Sequence, residues 1–312
     1  MTPMRRGRTR RPPARAALFL PLLLLATTAC AAPGPAGFST PGATLVAADR
    51  IHTQAHDALQ RWADAARESG GATISFVGDM TDQIGTWEAS VGDNNKAALV
   101  AGLVRAGVNL PSDKPGRKQV RWVDGSSIDV NVLSAAEALE GLVAASSGTK
   151  CPDCRSLLVT EASLATGLVE TSQGPAEAPV WVYTIEGTAV RVTRVAVDES
   201  ITVVPPPWNE DDPPVGISIE SASGTAKSRD LTVSFIGAVE ARSKPCGADY
   251  TAEAVESDLA VVVIVIERRN GAAGACDAIG RTRTATVSLE SALGKRAVLE
   301  VRQGLPVPLL AP

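Results

Sequence analysis

Residues 259–266, LAVVVIVI, are eight consecutive apolar residues between Asp258 and Glu267. Most of them are β-branched, and side chains of this kind pack well in extended strands. Successive side chains of a strand point to opposite faces, so a strand that is apolar throughout has to be covered on both sides. This segment therefore predicts a central strand in a fold of several layers.

The surrounding sequence also has the pattern of strands. Val233 and Phe235 alternate with polar residues, and so do Ala285, Val287 and Leu289. This alternation is typical of half-buried strands, and no segment with helical spacing separates them. We therefore predict a mainly antiparallel β sandwich or open barrel over residues 150–312.

Two finer features are predicted within this β-rich domain. The Pro-rich acidic segment 205–216, PPPWNEDDPPVG, predicts a connector between two β-units. Both VWVYTIEGTAVRVTRVAV and TATVSLESALGKRAVLEV have the order strand, turn, strand, which suggests that the units are duplicated. A slip in the alternation near Arg194 predicts a β-bulge.

Residues 43–149 predict an α+β domain. Apolar residues at steps of three and four predict a helix over 43–69. Ser134 and Glu137 have the spacing of a capping box at the start of a second helix. Asp124-Gly125 predicts the turn of a hairpin.

The sequence predicts the secondary structure of two segments of this domain less clearly. The short apolar runs within residues 71–93, separated by Gly and Asp, predict two strands and a turn. The pattern of residues 95–109 fits either a helix or a buried strand.

The first 30 residues predict export. Residues 1–15 are basic and residues 16–29 are apolar, a run too short to cross a bilayer as a helix. This arrangement predicts a signal peptide over residues 1–29. Residues Leu25–Cys30 (LATTAC) resemble the lipobox of bacterial lipoproteins, which implies that Cys30 receives a lipid; the alternative is a secreted protein in which Cys30 is incidental. Residues 30–42 are rich in Pro, Gly, Ser and Thr and predict a flexible tether.

A wider resemblance covers most of residues 45–310. The blocks GDMTDQIGTWEASVGDNNKAAL, CPDC with the segment that follows it, and KPCGADYTAEAVESDLAVVVIV are similar to uncharacterised lipoproteins of high-GC Gram-positive bacteria. The resemblance implies export, lipidation and an α+β region followed by a β region. It implies no catalytic or binding residue, because the family has no known activity.

The charge of the chain limits the classes of partner that it is expected to bind. Without residues 1–29 it has 24 basic and 34 acidic residues, a formal charge of −10. An acidic protein of this kind is not expected to bind nucleic acid or to be attracted to anionic lipid. The predicted attachment to the membrane therefore depends on the lipid of Cys30.

Four cysteines remain besides Cys30, and an even number in an exported chain predicts disulfides. Three pairings are possible, and we predict Cys151–Cys154 and Cys246–Cys276 because each pair is local. Two alternatives stay open. The CPDC sequence is also a CxxC redox motif, and the four cysteines together are a candidate zinc site.

Few other residues indicate a metal site or a catalytic site. Asp49, His52 and His56 lie along one edge of the first predicted helix and are candidate metal ligands, although HTQAH lacks the Glu of the HExxH motif. Ser147 and Lys150 match S-x-x-K without the partner motifs of that enzyme class. No nucleotide-binding loop occurs, and no cofactor is predicted.

The acidic residues and Trp208 are the remaining candidates for a functional site. A glycosidase needs two convergent carboxylates, and the acidic residues considered for this role are Asp79, Asp82, Glu88, Asp93, Glu210, Asp211 and Asp212. Trp208 lies among prolines and acids, where it either fixes the connector to a domain or contacts a partner.

These observations favour a lipid-anchored protein on the extracytoplasmic face of the cell membrane. The expected function is noncatalytic binding of an envelope protein, a glycan or a small solute. The alternative is an envelope enzyme, either a metal-dependent hydrolase or a thiol–disulfide oxidoreductase.

Overall fold

The structure is a computed structural model that describes residues 41–87, 95–146, 148–271 and 275–312, without the side chains of 41–47. Its first element is helix α1 (Pro41–Glu68), which confirms the helix predicted over 43–69. The predicted tether, residues 30–42, therefore overlaps the first residues of α1. The predicted signal peptide and Cys30 lie outside the described residues.

A seven-stranded sheet follows α1 in the chain. Its strands are β1 (Thr81–Ile84), β2 (Val104–Ala106), β3 (Arg117–Trp122), β4 (Ser127–Asn131), β5 (Leu157–Thr171), β6 (Gly174–Ile185) and β7 (Arg191–Val195). The order is β1-β7-β6-β3-β4, and β5 pairs with both β6 and β2. All pairs are antiparallel except β2–β5. Strand β5 pairs with β2, β6 with β3, and β7 with β1. The sheet therefore crosses the domain boundary predicted between residues 149 and 150.

Local signals in the first half are largely confirmed. Strands β3 and β4 form the predicted hairpin, and Gly125 in its turn has a φ of +84°, which glycine adopts without strain. Helix α3 (Ala135–Ala144) begins with the predicted capping box. In that box Glu137 N donates to Ser134 Oγ at 3.2 Å, and Ser134 N donates to Glu137 Oε2 at 2.9 Å.

The two segments whose secondary structure the sequence predicts less clearly, 71–93 and 95–109, together contain both helix and strand. Residues 95–109 contain a helix and a strand, because α2 (Asn95–Val100) is followed by β2, but β2 is buried only at Val104 and is not the buried strand of the second alternative. The described part of 71–93 contains β1, which pairs with β7, and an isolated bridge from Phe76 to Thr171 of β5. Both partners of this segment are therefore distant in the chain. Residues 88–94 lie outside the described part of the chain.

The second half is a sandwich of two open sheets, as predicted. Its strands are β8 (Ile219–Ser223), β9 (Asp230–Ala238), β10 (Ala248–Glu256), β11 (Ala260–Arg269), β12 (Gly280–Ser288), β13 (Ala297–Glu300) and β14 (Leu309–Leu310). One sheet has the order β10-β11-β13 and the other has β12-β9-β8-β14. Leu231, Val233 and Phe235 of β9 face Val261 and Val263 of β11 in a shared core.

The apolar run that predicted a central strand is β11. Its second face is covered by α1, where Ala55, Ala58 and Trp62 pack against Val262 and Ile264. These α1 residues follow one another at steps of three and four, the spacing that predicted the helix, and all three are buried. The layers are therefore α1, the β10-β11-β13 sheet and the four-stranded sheet.

Two finer predictions are wrong. Strand β7 pairs with β1 and β6 without a register shift, so there is no bulge at Arg194. The slip arises because Arg194 is itself buried, on the same face as Val192, while Val195 is buried on the opposite face. The two supposed β-units also differ: β6 and β7 are neighbours in one sheet, whereas β12 and β13 lie in different sheets.

Candidate functional site

Of the three candidate metal ligands of α1, His52 contacts the β-sandwich. His52 Nε2 lies 2.8 Å from Glu253 Oε1 on β10, and His52 Nδ1 lies 2.9 Å from Ala48 O. Both ring nitrogens of His52 are therefore engaged, while Asp49 and His56 are exposed. Within residues 41–87, 95–146, 148–271 and 275–312, no three His, Cys, Asp or Glu side chains come together as a metal site.

The cysteines pair as predicted, Cys151 with Cys154 and Cys246 with Cys276. The CPDC segment lies in the loop between α3 and β5, after a helix rather than at the start of one. A thioredoxin-type centre needs the helix start, where the helix dipole stabilises the thiolate. The two separate pairs also leave no set of four thiolates for zinc.

Trp208 lies in an exposed connector between β7 and β8. It is 64% exposed, which is too much for a side chain that fixes the connector to a domain. The connector is held instead by Arg50, which forms an ion pair with Asp212 and donates to Pro213 O at 2.6 Å. Contact with a partner is therefore the remaining hypothesis for Trp208.

The candidate carboxylates are dispersed. Asp79 and Asp82 line a cleft of about 510 Å³ together with Glu170, whereas Glu210, Asp211 and Asp212 lie on the connector. Glu88, Asp93 and the serine of the S-x-x-K match, Ser147, lie outside the described residues. Among the described candidates, Asp79 and Asp82 therefore share one cleft, and the three acids of the connector do not line it.

A groove of about 550 Å³ opens between β3, β5 and β6, and sequence reasoning did not identify it. Strand β3 contributes Arg117, Lys118, Gln119 and Arg121 to its lining. Strands β5 and β6 contribute Leu164, Thr166, Glu177 and Pro179. The groove therefore combines three cations, one carboxylate, two uncharged polar groups and an apolar wall.

The groove exists because β3 leaves β6 after a short contact. The two strands pair only at Arg121–Glu177 and Trp122–Ala176, and β7 pairs with β6 from Val180 onward. Pro179 lies at this change of partner and has no N–H for a ladder hydrogen bond. Its carbonyl oxygen accepts from Ala196 N at 2.9 Å, so no ladder bond draws β3 against β6 here.

The two arginines of the groove donate hydrogen bonds to neutral acceptors, and Glu177 lies opposite Arg121 in the β3–β6 register. Arg117 Nη2 donates to Asp129 O at 3.1 Å, and Arg121 Nη2 donates to Gln119 Oε1 at 3.3 Å. A guanidinium has five N–H donors, so each retains several for a ligand. None of the ion pairs in the described part of the chain includes Arg117, Lys118 or Arg121.

The lining of the groove is suited to binding rather than to covalent chemistry. Its residues include no imidazole and no thiol, and Glu177 is its one carboxylate. Arginine binds carboxylate and phosphate well because its planar fork donates two parallel hydrogen bonds. The alternation of Arg117, Gln119 and Arg121 with Val120 and Trp122 is a sequence signal from which a cationic strand face could have been predicted.

Comparisons of the chain with family models, with curated proteins and with solved structures find no match. Among the described helices, none is both long enough and apolar enough to span a bilayer.

Proposed function

We propose that this chain is an exported lipoprotein, attached through Cys30 to the extracytoplasmic face of the membrane, that binds an anionic ligand in the groove between β3, β5 and β6. The order of basic residues, apolar residues and Cys30 supports the anchor. The two disulfides support export, because such bonds persist in oxidising compartments. The function is binding, and the protein is not an enzyme in this proposal.

The observation that carries the proposed ligand is a set of cations that belong to none of the ion pairs among the described residues, with Glu177 opposite Arg121. Arg117 and Arg121 share one face of β3 and line one groove, and the neighbouring Lys118, which alternates to the other face of the strand, also contributes to its lining, in a chain whose formal charge is −4 even with the basic leader included. Placing like charges together on one face costs free energy unless an anion compensates them. A bound anion that accepts hydrogen bonds from one of these guanidinium groups supplies that compensation.

Binding of inorganic pyrophosphate tests the ligand class. We expect the mature chain to bind it, and the double variant Arg117→Gln/Arg121→Gln to bind at least about tenfold more weakly, since charge-assisted hydrogen bonds are lost. Arg268→Gln/Arg281→Gln is the matched control, because it removes the same charge from exposed positions of the sandwich. Equal affinities of the two double variants in calorimetry would contradict the groove as the site.

Mass spectrometry of the N-terminal peptide from cells tests the anchor. We expect residues 1–29 to be absent and the Cys30 thiol to carry lipid, and Cys30→Ala to release the protein from the membrane fraction. Metal analysis and thiol titration of the same preparation test the enzyme hypothesis. A stoichiometric metal, or a Cys151–Cys154 bond that is easily reduced, would favour the enzyme.

A further inference from the structure

We infer that the anionic ligand of this groove is a saccharide that carries a carboxylate or a phosphate. This inference rests on the proposed function and narrows its ligand class. The argument starts from the residues of the groove that a simple inorganic anion does not need. These are Glu177, Gln119, Thr166 and the apolar pair Leu164 and Pro179.

Glu177 is the first indication of a ligand with donor groups. It lies directly opposite Arg121 in the β3–β6 register and is exposed to the groove. An ionised carboxylate only accepts hydrogen bonds, and it repels another anion. A ligand that gains from Glu177 must therefore bring N–H or O–H donors in addition to its negative charge.

The remaining polar residues indicate hydroxyl groups rather than ammonium groups. Thr166 has a hydroxyl that both donates and accepts, and Gln119 has an amide with donors and an acceptor. Such groups match the hydroxyls of a sugar, which also act in both roles. The three cations would repel an ammonium group, so hydroxyls are the donors that fit the groove as a whole.

The shape and the apolar wall agree with a ring-shaped ligand. Arg117 and Arg121 are four residues apart on β3, which corresponds to about 13 Å along an extended strand. An anion at the Arg117 end leaves the rest of this length for rings beside the half-buried side chain of Leu164; Pro179 also lines the groove but is buried. The C–H face of a pyranose ring can pack on Leu164, while its hydroxyls reach Glu177 and Thr166.

The test compares four probes in calorimetric titrations of the mature chain. They are glucuronic acid, glucose 6-phosphate, glucose and inorganic pyrophosphate. We expect both charged sugars to bind more tightly than glucose, and the tighter of the two identifies carboxylate or phosphate as the anion. Failure of both charged sugars to bind more tightly than glucose would overturn the inference.

The variant Glu177→Gln separates the sugar from a plain anion. We expect it to weaken the charged sugars by about threefold to tenfold, the loss of one charge-assisted acceptor, and to strengthen pyrophosphate by removing a repulsion. Glu220→Gln, an exposed position on β8, is the matched control. If Glu177→Gln strengthens every anionic probe, the saccharide inference fails while the proposed function stands. If Arg117→Gln/Arg121→Gln leaves every affinity unchanged, the proposed function fails as well.

Discussion

The side-chain amide of Gln54 pairs with the backbone of Val215 in both directions. Its Nε2 donates to Val215 O at 3.0 Å, and its Oε1 accepts from Val215 N at 3.0 Å. The same Nε2 also donates to Val301 O at 2.8 Å. One residue of α1 thus satisfies backbone groups at the end of the connector and beyond β13.

We expect Gln54→Ala to lower the free energy of unfolding by about 2 kcal/mol, because three partly buried hydrogen bonds are lost. Urea unfolding followed by tryptophan fluorescence measures this change. Gln60→Ala is the control on the same helix, since Gln60 is exposed and its Nε2 donates to Asp64 Oδ1 at 2.9 Å. Similar losses in the two variants would mean that Gln54 does not hold the connector to α1.

The capping box of α3 gives a second prediction. Ser134→Ala removes the acceptor for Glu137 N and should cost about 1 kcal/mol of unfolding free energy, whereas Ser134→Thr should cost much less. Hydrogen bonds from the backbone and hydroxyl of Ser134 lower the pKa of Glu137. We therefore expect the pKa of Glu137 to rise in Ser134→Ala when it is titrated by NMR. An unchanged pKa would contradict the contribution of the hydroxyl.

The two tyrosines predict a loss of stability in alkali. Burial raises the pKa of Tyr183, whose hydroxyl donates to Ala135 O at 2.7 Å, and burial together with Glu267 raises that of Tyr250. Because each folded-state pKa lies above the unfolded value of about 10, their contribution is complete below that pH and is lost as the pH rises through the folded values. For Tyr183 the slope approaches about 1.4 kcal/mol per pH unit.

Denaturant unfolding between neutral and strongly alkaline pH measures this slope, and tyrosinate absorbance should increase together with unfolding. Tyr183→Phe is expected to be less stable at neutral pH, because Ala135 O loses its donor, but to have a flatter alkaline slope. Tyrosinate absorbance that rises fully in the folded protein near pH 10 would show that neither hydroxyl is protected.

The two disulfides should differ in their effect on stability. On the chain-entropy model, Cys246→Ser/Cys276→Ser should cost about 3.5–4 kcal/mol and Cys151→Ser/Cys154→Ser about 2 kcal/mol, since the first pair closes a much longer loop. Thermal and urea unfolding of the two double variants provides the comparison. A larger loss from the CPDC pair would show that its loop has a role beyond closing a short ring.

The parts of the fold predicted from sequence are those that depend on neighbouring residues. The alternation in β9 and β12, the capping box at Ser134 and the pairing of Cys151 with Cys154 are local patterns. The groove depends on the pairing of Arg121 with Glu177, which are far apart in the chain. Periodicity shows which face of a strand is polar, but not which strand lies beside it, so the site could not be assembled from sequence.

The same reason explains the interpretation of His52 as a candidate metal ligand. Its i, i+4 spacing with His56 is visible in the sequence, whereas its contact with Glu253 results from the packing of α1 on β10. The burial of Arg194 was mistaken for a bulge because a charged residue breaks the apolar pattern even where the strand is regular.

The packing of α1 on β11 and β13 has a consequence for biogenesis. Proteins are synthesised from the amino terminus, so α1 leaves the ribosome long before the strands that cover its apolar residues. Because β11 and β13 are distant in the chain, the entropic cost of closing these loops is incurred before the packing stabilises the fold. The nascent chain therefore needs protection from aggregation until β13 has been synthesised, and a nonsense mutation upstream of β11 leaves the apolar residues of α1 uncovered.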